Sequence, residues 1–112
     1  MATVGVGVIT RATSATDLSP NAANAGGDKF TAGRDTFLYL ENSSGAPITV
    51  TVDTPGTVRG QAIADLPIIV PATGYAARGP FPADVFGDAG GLVAMTYSTH
   101  TGLSFGAWKV GA

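Results

Sequence analysis

The sequence predicts an all-β domain, a seven- to eight-stranded antiparallel sandwich or jelly-roll-like barrel with an N-terminal arm or long loop. Short β-branched and aromatic runs recur along the chain, divided by clusters of Gly, Pro, Asn and Ser; 16 glycines and 7 prolines supply the punctuation. No segment of helical length carries a 3.6-residue apolar period. Several runs instead alternate apolar and polar residues one by one, as a strand with one buried face does.

Strands are expected at Thr3–Thr10, Phe37–Glu41, Ile48–Asp53, Ile68–Val70, Tyr75–Arg78, Leu92–Ser98 and Leu103–Val110, with short extended pieces near Phe30 and over 61–64. The best helical candidate is "PADVF", about one turn from Pro82 to Phe86, with Pro early and Gly87 stopping it. Three hairpins follow from the turn chemistry. "ENSSGAP" joins the second and third strands, "PATGY" puts Gly74 where a tight turn wants positive φ, and "STHTGL" does the same with Gly102. Pro67 and Pro71 bracket a short run that belongs at a sheet edge, because proline cannot donate to the ladder. So many strands need two packed sheets rather than one open sheet.

At 112 residues the chain reads as a single β domain, 1–112, with enough length for one core without staples. Within it, Arg11 to Asp28, "RATSATDLSPNAANAGGD", has no periodicity. It is either a surface loop or an arm that orders against a neighbour, and Leu18 and Pro20 are its only anchors of any size.

Two strands carry apolar groups on both faces. In "TFLYLENSSGAPITVTVDTP", Leu38 and Leu40 share a face with Thr36, while Phe37 and Tyr39 load the other. In "LSFGAWKV", Leu103 and Phe105 lie on one face, Trp108 and Val110 on the other. A sandwich strand needs only one apolar face. Phe37, Tyr39 and Trp108 are therefore covered either by the chain's own loops or by another subunit.

The chemistry of sites is sparse. With no cysteine, disulfides, thiolate catalysis and thiolate metal sites are excluded. His100 is the lone histidine, in the "STHTG" turn near Ser98 and Asp88, without the elbow of a hydrolase nucleophile. One His and one Glu, Glu41, do not make a zinc site, and Asp84 with Asp88 lacks the acid spacing of a calcium loop. "GVGV" and "DAGGL" do not sit between strand and helix as phosphate cradles do. A pI of about 4.9 with singly scattered cations argues against nucleic acid. "MATVGVGVIT" reads as a strand and not a signal peptide, and no apolar run reaches membrane-spanning length. The expectation is a non-enzyme, made in the cytoplasm, with no catalytic residues, cofactor, metal, nucleic acid or membrane partner. A glycan platform of Trp108, Tyr39 and Tyr97 is the one small-ligand alternative. A net charge of only −2 suits a protein that lives in an assembly.

The order "GGDKFTAGRDTFLYLENSSGAPITVTVDTP", "IADLPIIVPATG", "GPFPADVFGDAGGLVAMTYST" resembles small structural proteins of tailed bacteriophages encoded among the head genes. The pattern is a Gly-Asp-polar-Phe opening, a Phe-Leu-x-x-x-Asn strand, a Thr-Val-x-Val return, a "VPA" turn, a "GPFP" corner and a last strand pair begun by "GLV", over about residues 26–105. The resemblance implies a β-sandwich at the capsid surface of the virion. It implies a decoration or cementing protein, homo-oligomeric and often trimeric, whose partner is the major capsid protein or a neighbouring head protein. Head–tail joining proteins and virion-displayed host-glycan adhesins share these habits. The resemblance brings no catalytic residues; Leu18, Pro20, Phe37, Tyr39 and Trp108 are the candidate interface.

Overall fold

The structure is a computed structural model that describes residues 2–9, 19–55, 57–58, 61–62 and 64–110. Among the described residues, twelve strands and one helical turn follow in order: β1 (Ala2–Val4), β2 (Val6–Ile9), β3 (Asn21–Ala22), β4 (Asp28–Thr31), β5 (Thr36–Asn42), β6 (Ile48–Val52), β7 (Thr57–Val58), β8 (Gln61–Ala62), β9 (Leu66–Val70), β10 (Tyr75–Arg78), α1 (Ala83–Phe86), β11 (Leu92–Tyr97) and β12 (Leu103–Val110). They build an all-β sandwich. One sheet has the order β1-β4-β11-β6-β9; the other runs β10-β5-β12-β2, with β3 also paired to β12. The β7–β8 ribbon stands apart.

The expected strands form, and the apolar residues of each alternating run enter the core. Leu38 and Leu40 of β5, Ile48, Val50 and Val52 of β6, Val93 and Met95 of β11, and Phe105 of β12 are all almost wholly buried. Phe30 meets Phe81 edge to face at 5.5 Å, and Phe81 meets Phe86 of α1 in the same way at 5.2 Å. The Pro82 carbonyl accepts the Phe86 N–H at 2.9 Å, and Gly87 ends the turn as expected. β9, with its proline, is an edge strand.

Three expectations need correction. First, none of the three hairpins is a hairpin. β5 and β6, β9 and β10, and β11 and β12 each lie in opposite sheets, so "ENSSGAP", "PATGY" and "STHTGL" are crossovers between layers. Alternation shows which side chains face the core and is silent about which sheet they reach it from. Second, the sheets are mixed. The expected strand Thr3–Thr10 breaks at Gly5; β1 pairs parallel with β4 in one sheet and β2 parallel with β12 in the other. Third, Gly102 takes positive φ (84°), but in "PATGY" it is Thr73 (φ 50°) and not Gly74 that does so. Gly74 is required for room instead: a Cβ there would lie 2.7 Å from Pro71 Cγ.

The expected arm is in part structural. Residues 11–18, Leu18 among them, lie outside the described residues. Asn21–Ala22 pair with Ser104–Phe105 of β12, the Ala23 N–H donates to Leu103 O at 3.0 Å, and Asp28 is fully buried. Residues 21–28 are thus packed on their own domain, and Pro20 is exposed just before them.

One buried side chain ties the crossovers together. Asn42 Nδ2 reaches the carbonyls of Ala46 (2.8 Å), Val70 (3.3 Å) and Pro71 (3.2 Å), and its Oδ1 accepts from the Ser44 N–H (2.9 Å) and hydroxyl (2.7 Å). Ser43 N–H donates to Gly102 O at 2.9 Å, which joins the third crossover to the other two. Asn42→Ala should lower stability by about 2–4 kcal/mol, because several carbonyls and an N–H lose a partner at once. Ile69→Thr, on an exposed side chain, should change it by less than about 0.5 kcal/mol. Urea denaturation of both variants checks the contrast.

Candidate binding surface

The outer face of the β10-β5-β12-β2 sheet gathers most of the chain's outward aromatics. Residues of β5 that alternate with the buried Leu38 and Leu40 point outward: Phe37, Tyr39 and Glu41. Register places Trp108 beside Phe37, Gly106 beside Tyr39 and Ser104 beside Glu41 on β12. On β10 it places Ala77 beside Tyr39 and Tyr75 beside Glu41.

Phe37, Tyr39 and Trp108 are half-buried, and they are so because of what lies next to them. The Trp108 ring covers Gly7 of β2, where a Cβ would come within 2.3 Å of Trp108 Cζ3. Gly79 packs against the Phe37 backbone, where a Cβ would lie 2.9 Å from Phe37 Cα. Tyr39 stacks on Tyr75 with ring centroids 5.9 Å apart and planes 22° apart. Tyr75 itself is 68% exposed. Desolvation first, then the neighbouring Glu41 charge and Tyr75, raise the Tyr39 pKa above the ordinary phenol value. The Ser19 hydroxyl donates to Glu41 Oε1 at 3.1 Å. What this face can do chemically is offer flat aromatic area around one carboxylate.

Tyr97 does not join it. It belongs to β11 in the other sheet, where its hydroxyl donates to the Asp28 carboxylate. The same carboxylate accepts from the Asn24 N–H (3.1 Å) and the Asn24 side-chain amide. Burial, then the hydrogen bond and charge of Asp28, push the Tyr97 pKa well up. The glycan set Trp108, Tyr39 and Tyr97 is therefore split between two sheets. Tyr75 takes the third aromatic place, and only the cross-strand register between β10 and β5 brings it there.

The remaining sequence candidates are dispersed. The Ser98 hydroxyl accepts the Thr49 N–H at 3.0 Å, and His100 is exposed in its turn. Asp88 is committed to Lys29 Nζ (3.0 Å) and to the backbone N–H groups of Gly90 (2.8 Å) and Leu92 (3.1 Å), not to His100. Among the described residues no group of three or more His, Cys, Asp or Glu is gathered as metal ligands, and no helix is long and apolar enough to cross a membrane. Compared with protein-family models, curated proteins and solved structures, the chain finds no match.

Two outcomes are expected. The Leu92 N–H, the Lys29 side chain and the Gly90 N–H hold the Asp88 pKa below the ordinary 3.8. Its stabilisation is thus fully present above about pH 4 and is withdrawn as pH falls through the depressed value. Asp88→Asn should flatten the acid limb of a stability–pH curve measured by urea titration. Tyr97→Phe removes a donor from a fully buried carboxylate and should destabilise by about 1–3 kcal/mol, read as a lower thermal midpoint.

Proposed function

We propose that this chain is a non-enzymatic structural protein of a tailed-phage virion that binds the assembled head as a decoration or cementing protein. Contact is made through the outer face of the β10-β5-β12-β2 sheet. The single observation that carries the contact surface is a sheet back with three half-buried aromatics and one exposed tyrosine where a sandwich needs no apolar groups at all. The phage assignment rests on the resemblance in the order of motifs over residues 26–105. A low charge, −2 over 112 residues, suits close neutral contact with other protein.

In this role the protein works by linkage: binding the assembled shell and not the dissociated subunits stabilises the shell by mass action. Homo-oligomerisation would multiply weak contacts into avidity, and a trimer is the form the resemblance implies. The stacked pair Tyr39–Tyr75 favours a second reading, a virion-displayed module that binds host glycan on the same face.

Purified protein should co-sediment with DNA-filled heads of its phage and raise the temperature at which they release DNA. Trp108→Ala should weaken that binding by about tenfold, the size of a modest interface hot spot. Failure to bind either filled heads or expanded empty shells would sink the cementing role. Glycan-array binding that disappears with Tyr75→Ser would favour the adhesin.

A further inference from the structure

We infer that the aromatic sheet face receives an arginine side chain from a different protein, its guanidinium stacked on Tyr75 and paired with the Glu41 carboxylate. This deepens the reading of that face as the contact surface and rests on it.

Glu41 is the only charged side chain among the described residues that the strand register places on this face. It stands directly opposite Tyr75 on one side and Ser104 on the other, with Tyr39 two residues away on its own strand. If an apolar partner covered the face, this carboxylate would be buried with, among the described residues, a single hydroxyl donor, Ser19, and no counter-charge. Charge complementarity therefore favours a partner that brings a cation to this position.

Among the described residues, the strand register of a second copy of the same face brings none. Lys109 lies opposite Thr36, which is buried, and Arg78 lies opposite the buried Leu38, so both have the opposite parity to Glu41. Size points the same way. Four strands at about 4.8 Å and seven residues at about 3.3 Å make a patch of about 450 Å². A standard interface uses about 800 Å² from each partner. A footprint of that size fits one contact within a larger assembly.

Its surroundings select guanidinium over ammonium. Tyr75 is 68% exposed and is held by its stack on Tyr39, at 22° between planes, so its free side is a fixed, open ring. A planar guanidinium can lie on such a ring and present two N–H groups to a carboxylate beside it; a compact, strongly hydrated ammonium cannot do both.

The test uses the full chain labelled with ¹⁵N and titrated with N-acetyl-arginine amide, N-acetyl-lysine amide and N-acetyl-citrulline amide. The arginine compound should shift the amides of Tyr39, Glu41, Tyr75 and Ala77 in a saturable way. The lysine compound should bind about fivefold more weakly, and the uncharged citrulline compound more weakly still. Glu41→Gln, an exposed substitution, should weaken arginine binding about fivefold or more with the rest of the spectrum unchanged; Tyr75→Ser should do the same. Equal response to arginine and lysine, no loss in Glu41→Gln, or shifts centred elsewhere would overturn the inference. Heads that bind the protein while arginine amide leaves these residues unshifted would refute the arginine contact and leave the cementing role standing. Arginine selectivity without head binding would do the reverse.

Discussion

Much of the architecture depends on one buried amide. Asn42 ends β5 inside the sandwich, and its side chain bonds the crossover that follows it and the crossover after β9 at the same time. Backbone bonds from Ser43 to Gly102 and from Thr73 to Ser44 draw all three crossovers of that end into one cluster. The crossover residues themselves are mostly exposed, but the carbonyls of Ala46, Val70 and Pro71 converge on the buried Asn42 where the chain passes from one sheet to the other. A side chain with two donors and a carbonyl acceptor satisfies them; an apolar residue of the same size would leave the carbonyls stranded. The opposite flanks are managed differently. β1 runs into β2 and β9 into β10, each pair forming the edges of both sheets, so chain itself bridges the layers where open edges would otherwise stand.

A strand in such a sandwich can turn one face to the core and no more. For β6 that is sufficient, because Thr49, Thr51 and Asp53 face outward opposite Val50 and Val52. For β5 and β12 it leaves aromatic groups outside. Those groups are set against glycine: Trp108 over Gly7, Tyr39 beside Gly106, Phe37 against Gly79. Glycine in a strand interior weakens it, and a ring lying across the gap restores the lost contact. The result is a low, flat surface in place of protruding rings. Packing within the chain and an outer apolar patch, which the sequence presents as competing explanations, are here the same geometry, with each ring partly covered by its neighbours.

How much of this is visible in the sequence follows from the range of each interaction. Period-two alternation is local, so the strands, their core faces, the single turn of helix at Pro82 and the edge position of the proline-bearing β9 can all be read directly. Sheet membership is not local. The same "ENSSGAP" residues that make a tight turn also make a crossover, and only the Asn42 bonds, 28 and 29 residues away at Val70 and Pro71, decide between them. The Asp28–Tyr97 bond spans 69 residues and turns a residue of the expected platform into a half-buried structural group. Tyr75 was legible as a strand residue, but its place against Tyr39 and Glu41 exists only once β10 pairs with β5. Thr73 holds a conformation that glycine would hold with less strain, and the adjacent Gly74 drew the expectation because spacing alone cannot tell a need for positive φ from a need for space.

The two outer faces differ in what water does for them, and this gives the molecule a direction. On the β1-β4-β11-β6-β9 sheet the outward groups are mostly polar: Thr51 paired across from Thr96, Thr49, and the partly exposed Lys29–Asp88 ion pair, with Ile69 exposed opposite Thr49. On the other sheet the outward groups are mostly rings and small residues, with Glu41 the charged exception, and hydration of the apolar part is the unfavourable state. Covering the first face would remove water from hydroxyls and an ion pair for little return. Covering the second releases water from apolar area and leaves one carboxylate to be answered. In the cementing role proposed above, a molecule of net charge −2 with one more polar and one more aromatic face would need only a small contact from each copy, because a lattice of sites supplies the effective concentration for the rest.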